Sequence, residues 1–236
     1  LTWKDRLDFM SCTECGRCQD LCPAWNTEKP LSPKLMIMAL RDNVVSASGF
    51  TPNNQAGPDT ADVLGALKSA QTSGPEGVSP DNAVLAGGVL NPDILWDCTM
   101  CGACVDQCPV DIEHIDHIGN MRRFQVLMES AFPRELTRPF RAMETKSNPY
   151  NQSPRKRLDW ATKLDFDITV IGEDVEDATD LDYLFWVGCA GAYDEKAKRT
   201  TAAVAELLHT AGVSFGVLGS SEGCTGDPAR RAGNEI

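Results

Sequence analysis

The sequence predicts a mainly α-helical domain followed by the start of a small α/β domain. Three observations carry this. Two cysteine runs of identical spacing are each preceded by a helix-start signal and followed by a stretch of helical period. Capping residues followed by proline stand at the head of several of these stretches. Near the C terminus the pattern changes to strand, helix, strand, helix, the order of a parallel α/β unit.

The elements read as follows. Thr2 with Asp5 three residues on has the form of a capping box, and Trp3, Leu7 and Met10 fall on one face of a helix that leads into Cys12. Ser32-Pro33 is an N-cap with proline at the first helical position and opens a helix to about Asp42. Residues 46–92 read as an irregular insertion, broken by Ser48-Gly49, Gly57-Pro58, Ser73-Gly74-Pro75 and Ser79-Pro80, with one helix expected from Asp59 to Gln71. Asn91-Pro92 repeats the cap-then-proline signal before Ile94-Leu95-Trp96. Glu113–Ser130 has helical period, Pro133 starts a further helix that Pro139 is expected to kink, and Leu158–Leu164 reads as a short helix. Residues 165–182 carry eight acidic side chains and no basic one, and read as a linker. Tyr183–Val187 then reads as a buried strand, Asp194–Ala211 as an amphipathic helix stopped by Gly212, Val213–Leu218 as a second strand, and Asp227-Pro228 as a helix start. The expected division is a helical domain at 1–164, an acidic linker at 165–182 and a truncated α/β domain at 183–236.

Composition narrows the function classes. The net charge is −12, yet the stretch from Arg122 to Lys163 holds ten Lys/Arg against four Asp/Glu, net +6, so the remainder carries −18. Nucleic acid is a poor partner for so acidic a chain. No run of eighteen apolar residues could cross a membrane, and the N-terminal residues lack the order of a secretory signal. The chain starts without Met and ends at Glu235-Ile236, and is expected to be a piece of a longer protein. Ten cysteines in a chain with long helical stretches do not suit a secreted disulfide scaffold, so a reducing setting is expected.

The first run is Cys12-x-x-Cys15-x-x-Cys18-x-x-x-Cys22-Pro23 and the second is Cys98-x-x-Cys101-x-x-Cys104-x-x-x-Cys108-Pro109. The repeat extends to Cys12-Thr13-Glu14-Cys15-Gly16 against Cys98-Thr99-Met100-Cys101-Gly102. Iron in a [4Fe–4S] cubane takes four soft thiolates, and this spacing is the one used to supply them. Two structural zinc ions would also consume eight thiolates, although zinc ligands come as pairs rather than as triplets followed by a fourth cysteine and proline.

The runs resemble those of bacterial two-cluster ferredoxins, in which the fourth cysteine of each run crosses to the other cluster. The resemblance implies two [4Fe–4S] clusters, one on Cys12, Cys15, Cys18 and Cys108 and one on Cys98, Cys101, Cys104 and Cys22. With helices flanking each run, residues 1–160 resemble the α-helical ferredoxin domain of succinate dehydrogenase iron–sulfur subunits, anaerobic glycerol-3-phosphate dehydrogenases and heterodisulfide reductases. Cys189 and Cys224 look like the opening of the cysteine-rich CCG domain that follows such ferredoxins, with Cys224-Thr225-Gly226 in the Cys-Cys-Gly place. A further cluster on Cys189 and Cys224 in the intact protein is implied; two ordinary buried thiols are the alternative. Taken together, Leu1–Asp42, Cys108–His114, Tyr183–Ala190 and Cys224–Glu235 resemble the actinobacterial membrane-bound (Fe–S)-binding reductases. That resemblance implies electron relay from reduced electron-transferring flavoprotein, or another flavoprotein, toward menaquinone during fatty-acid β-oxidation. It also implies a membrane-embedded quinone-reducing partner segment and a place at the cytoplasmic side of the membrane. An iron–sulfur subunit of a heterodisulfide reductase or of a glycolate, lactate or glycerol-3-phosphate dehydrogenase is the alternative, and a zinc-stabilised interaction module a further one.

Other residues invite lesser roles. His114 and His117 follow the second run and either serve the cluster or cap a helix. Trp25, Trp96 and Met100 flank cluster cysteines and are expected to keep water off them. Arg134, Arg138, Arg141, Lys146, Arg155, Lys156 and Arg157 form a basic stretch suited to anionic lipid, an acidic partner or plain solvation. No phosphate-binding glycine loop is present, so a nucleotide or flavin of its own is not expected, and no catalytic acid, base or nucleophile is assigned.

Overall fold

The computed structural model describes residues 1–47 and 84–235, so the expected helix Asp59–Gln71 lies outside the described residues. The chain divides into two units, Leu1–Phe132 with Arg231–Ile236 and Pro133–Arg230.

In the first unit α1 (Trp3–Ser11) is closed by a complete capping box: the Asp5 amide donates to Thr2 Oγ1 at 3.2 Å and the Thr2 amide to Asp5 Oδ2 at 2.6 Å. The cysteine segments carry α2 (Arg17–Asp20), α3 (Pro23–Asn26), α5 (Pro92–Trp96) and α6 (Ala103–Asp106), while α4 (Pro33–Ala47) and α7 (His114–Leu127) are the long helices. Within the expected irregular stretch, Leu85–Val89 form a turn with Ala86 buried. Leu35, Met36, Ile37, Leu40, Leu95, Ile118 and Met121 make the core, and Cys12, Cys98 and Cys108 pack against it. The face of α1 that carries Trp3, Leu7 and Met10 is turned to solvent, with Trp3 77% exposed, and Asp8 and Phe9 are buried instead. The reason is polar. Asp5 and Asp8 both reach His117 of α7, and that contact, invisible to apolar periodicity, sets the rotation of the helix.

The last residues of the chain pack on α7. Arg231 accepts from Arg122 Nη1 at 2.8 Å, and Glu235 pairs with Arg123 at 2.8 Å. Gly233 sits at φ +82° where a Cβ would meet the Arg122 carbonyl carbon and the Arg123 nitrogen at 2.5 Å.

In the second unit a turn at Arg134–Leu136 leads into α8 (Thr137–Lys146). Pro139 does not kink it, because it lies in the first turn, where an amide has no partner within the helix. A tight helical stretch covers Pro154–Lys163. β1 (Thr169–Val170), β2 (Tyr183–Leu184) and β3 (Phe215–Val217) form a parallel sheet in the order β1-β3-β2. β1 falls in the stretch expected as linker, where the acidic neighbours mask a short apolar run. β2 is not the buried strand expected: Tyr183 is 63% exposed, because the strand is only two residues long and lies at an edge. The buried strand is the central β3, which packs with Trp160, Val170 and Ala205. Two helices, α9 (Gly188–Tyr193) and α10 (Glu195–Thr210), connect β2 to β3, and α11 (Asp227–Arg231) follows. Asp194 caps α10 by accepting from the amides of Lys196 and Ala197.

Gly233→Ala is therefore expected to cost about 2 kcal/mol or more, since it adds strain at positive φ to a backbone clash. A thermal or urea unfolding curve checks it, and an unchanged midpoint would contradict it.

Candidate metal centres

The two runs fold alike. Glu14 and Met100 have φ of 57° and 56°, and Gly16 and Gly102 have φ of 86° and 89°. Each run therefore turns through the left-handed region twice, at matching positions, before its short helix begins. Glycine at the second of these positions removes the Cβ penalty of that conformation. The turns aim amides at sulfur: Met100 N donates to Cys98 Sγ at 3.3 Å, and Ile112 N to Cys108 Sγ at 3.3 Å.

The cysteines gather into two groups around two cavities. One cavity, of about 20 Å³, is lined by Cys12, Cys15, Cys18 and Cys108. The other, also of about 20 Å³, is lined by Cys98, Cys101, Cys104 and Cys22. Each thus takes three thiols of one run and the fourth of the other. Among the described residues no three His, Cys, Asp or Glu side chains converge as ligands of a single ion. Thiols spread around a cavity suit a cubane, whose irons sit apart at its corners, better than one tetrahedral zinc. Cys15 and Cys101, the second cysteines of the runs, are exposed, while Cys18, Cys22 and Cys104 are buried. The α2 and α6 helices pack on each other, so the two groups are neighbours.

Without metal these thiols are hard to ionise. Burial, with the neighbouring thiols, pushes Cys18 up to about 11 and Cys104 up to about 12, and burial also raises Cys12 and Cys98. Cys15 is pulled the other way by the Arg17 amide. Positive charge stands close by. Lys34 lines the first cavity. Arg122 is buried beside the second group, and its donors go to the carbonyls of Leu95, Cys98 and Arg231, with its guanidinium 5.1 Å from the Trp96 ring centre. A buried cation with only carbonyl partners suits an anionic neighbour. The sequence counted Arg122 only as charge; nothing in its spacing marks it.

The expected shielding and helper residues are placed as follows. Trp25 packs half-buried with Cys22, Leu31 and Cys98, and Met100 packs against the core. His114 lines the first cavity. It is buried, donates Nδ1–H to the Ile112 carbonyl at 2.9 Å, and is pushed down to about 4 by burial, which keeps it neutral. His117 does not cap its helix; it is buried between Asp5 and Asp8.

In the second unit Cys189 and Cys224 are hydrogen-bonding neighbours, and burial raises the Cys189 thiol. Arg157 of the basic stretch is not a surface residue. It is buried against Glu222 at 2.6 Å, with side-chain exposures of 3% and 2%, and donates to Cys189 Sγ at 3.1 Å. Glu222 also accepts from the amides of Val187 and Gly188, which fixes the turn that carries Cys189. Gly226 N donates to Cys224 Sγ at 3.4 Å. The rest of the basic stretch is exposed.

A 4Fe-4S dicluster domain matches residues 11–112. Over 98% of its length the chain is 37% identical to a probable iron-sulfur-binding oxidoreductase, FadF, of Bacillus subtilis, of which it covers 34%. It is 38% identical over 99% of its length to the EtfAB:quinone oxidoreductase of Syntrophomonas wolfei, covering 32% of that protein. It is 36% identical over 99% to a probable membrane-anchored ferredoxin of Chromohalobacter salexigens, covering 33%. The chain thus spans about a third of the length of these relatives. No solved structure matches it at a significant level.

Two outcomes follow. A thiol whose value is raised on folding stabilises the fold while neutral, below the ordinary 9.0, and loses this as pH rises through its raised value. The melting temperature of the iron-free protein should fall from about pH 9 toward pH 11, while the loaded protein, its thiolates already ligated, should not follow it. Arg157→Ala should cost about 3–5 kcal/mol in chemical denaturation, because it strands the buried Glu222 carboxylate.

Proposed function

With its dicluster domain and its likeness to iron–sulfur oxidoreductases along nearly the whole chain, we propose that this chain is the electron-relay portion of a membrane-associated oxidoreductase. In this reading Cys12, Cys15, Cys18 and Cys108 hold one [4Fe–4S] cluster, and Cys98, Cys101, Cys104 and Cys22 hold the second. The observation that carries it is the grouping of the thiols, three from one run with the fourth of the other around each cavity.

The clusters supply one-electron chemistry, and the chain sets the conditions for it. Leu31, Ile115 and Ile118 keep water from the second cavity. Lys34 and Arg122 offset the negative charge that reduction adds. The packing of α2 on α6 gives electrons a short way between the clusters, and the exposed Cys15 and Cys101 mark the edges open to exchange.

The donor is reduced electron-transferring flavoprotein and the acceptor a quinone, following the name of the Syntrophomonas wolfei relative. Among the described residues no helix is long and apolar enough to cross a membrane, so contact with the bilayer is assigned to a partner segment at its cytoplasmic side. Cys189 and Cys224, with Arg157 donating to sulfur, begin a CCG-type site for a further cluster that other cysteines of the intact protein complete.

The complete protein, purified without oxygen, is expected to hold two cubanes, about eight irons, over the dicluster domain. Reduced electron-transferring flavoprotein should bring up their EPR signals, and clusters that stay oxidised would sink the donor. Cys108→Ser should remove the signal of the first-run cluster and spare the other, and Cys22→Ser should do the reverse. Loss of the same cluster in both variants would refute the crossing.

A further inference from the structure

The two cysteine runs are a repeat, and the places where the repeat fails tell the two groups apart. Thr13 matches Thr99 and Gly16 matches Gly102. Between them Glu14 stands where the second run has Met100, at φ of 57° and 56°. The same turn thus carries a carboxylate in the first run and a thioether in the second. From first to fourth cysteine the runs are otherwise equal in charge: Glu14, Arg17 and Asp20 give −1, and Asp106 gives −1. The larger difference comes from the helices packed around them.

Each group is met by one arginine. Arg41 of α4 acts on Cys12, but its Nη1 pairs with Glu14 Oε1 at 2.7 Å and its Nε with Asp42 Oδ1 at 3.3 Å, so its charge is already answered. Arg122 of α7 is 5% exposed. It donates to the carbonyls of Cys98 at 2.7 Å, Leu95 at 3.0 Å and Arg231 at 2.8 Å, and among the described residues no carboxylate pairs with it. The last residues of the chain hold it there: Gly233 sits against the Arg122 backbone, and Arg231 Nη1 donates to the Met100 carbonyl at 3.2 Å. A positive charge is therefore fixed beside Cys98 before any electron arrives.

The other nearby charges do not cancel this contrast. Asp97, next to Cys98, pairs with Lys29 at 3.4 Å. Arg17, Asp20 and Asp106 are exposed, and Lys34 at the first cavity is only half-buried. Charges open to water are screened within about 8 Å at physiological salt, and a buried one much less. Thiol burial separates the groups at one position only, since Cys22 is buried where Cys108 is half-buried. That burial disfavours added negative charge in the second group. A full positive charge held against the backbone of the same group outweighs it.

We infer that the group of Cys98, Cys101, Cys104 and Cys22 has the higher reduction potential of the two, and that Arg122 is the positioning residue that sets this order. Potentials of such clusters follow the charge around them, and reduction adds one negative charge, which Arg122 favours and Glu14 opposes. Electrons then pass from the group of Cys12, Cys15, Cys18 and Cys108 to the second group and rest there. In that step one electron leaves the first group, which is oxidised, and enters the second, which is reduced; no bond or proton moves. The inference rests on the reading of both groups as [4Fe–4S] sites and adds a direction to the relay.

The test is an anaerobic redox titration of the complete, cluster-loaded protein with mediator dyes, followed by EPR. Cys22→Ser and Cys108→Ser assign the signals, by which of them each variant loses. The signal lost in Cys22→Ser should appear first, with the electron favouring that group at least tenfold, about 59 mV for one electron. Arg122→Gln should cut this preference about tenfold by moving the second signal alone, and Arg122→Lys, which keeps the charge, should restore most of it. Glu14→Gln, at an exposed side chain, should move the first signal upward and narrow the gap without moving the second. The signal lost in Cys108→Ser appearing first would overturn the order. A second signal unmoved in Arg122→Gln would overturn the role of Arg122. Should Arg122→Gln fail to hold iron, Glu14→Gln decides, and an unchanged gap there would overturn the electrostatic account. If the cluster reading itself fails, both signals are absent, which is distinct from two signals in the wrong order.

Discussion

Cys22 and Cys108 each leave their own run and close the cavity of the other. Much of the first unit follows from that exchange. It brings α2 and α6 together, presses Cys12, Cys98 and Cys108 against the core of α1, α4 and α7, and ties segments that are far apart in sequence. The left-handed turns at Gly16 and Gly102 allow the chain to bend around a bulky group, and the amides they free point at sulfur. A core of this kind is only partly hydrophobic in origin, because it holds buried thiols that resist ionisation beside its apolar side chains.

Beside the surface ion pairs, two cations are buried next to thiols. Arg122 gives its donors to carbonyls beside Cys98. Arg157 divides its donors between Glu222 and the Cys189 sulfur. Each places a permanent positive charge where a thiolate or an anionic cluster would otherwise be costly to bury. His117 is treated in the opposite sense, with carboxylates on both sides of its ring and the Phe9 ring 4.8 Å from it, so α1 meets α7 through both polar and aromatic contacts.

The sequence by itself determined the repeat of the two cysteine runs, the capping box at Thr2, the proline-headed helices at Pro33 and Pro92, and the strand–helix–strand order near the C terminus. These are local signals, carried by spacing and by backbone preferences that act within a few residues. It misjudged the faces of α1 and the burial of Tyr183, since a short helix or edge strand takes its orientation from what it meets. Nor did it mark Arg122, Arg157, Asp5 or Asp8 as partners of the site. Those roles depend on contacts between residues far apart in the chain, such as His117 with Asp8 and Arg157 with Glu222. Only the tertiary structure decides which charges are buried together, because burial and its electrostatic cost are properties of the folded neighbourhood and not of any stretch of sequence.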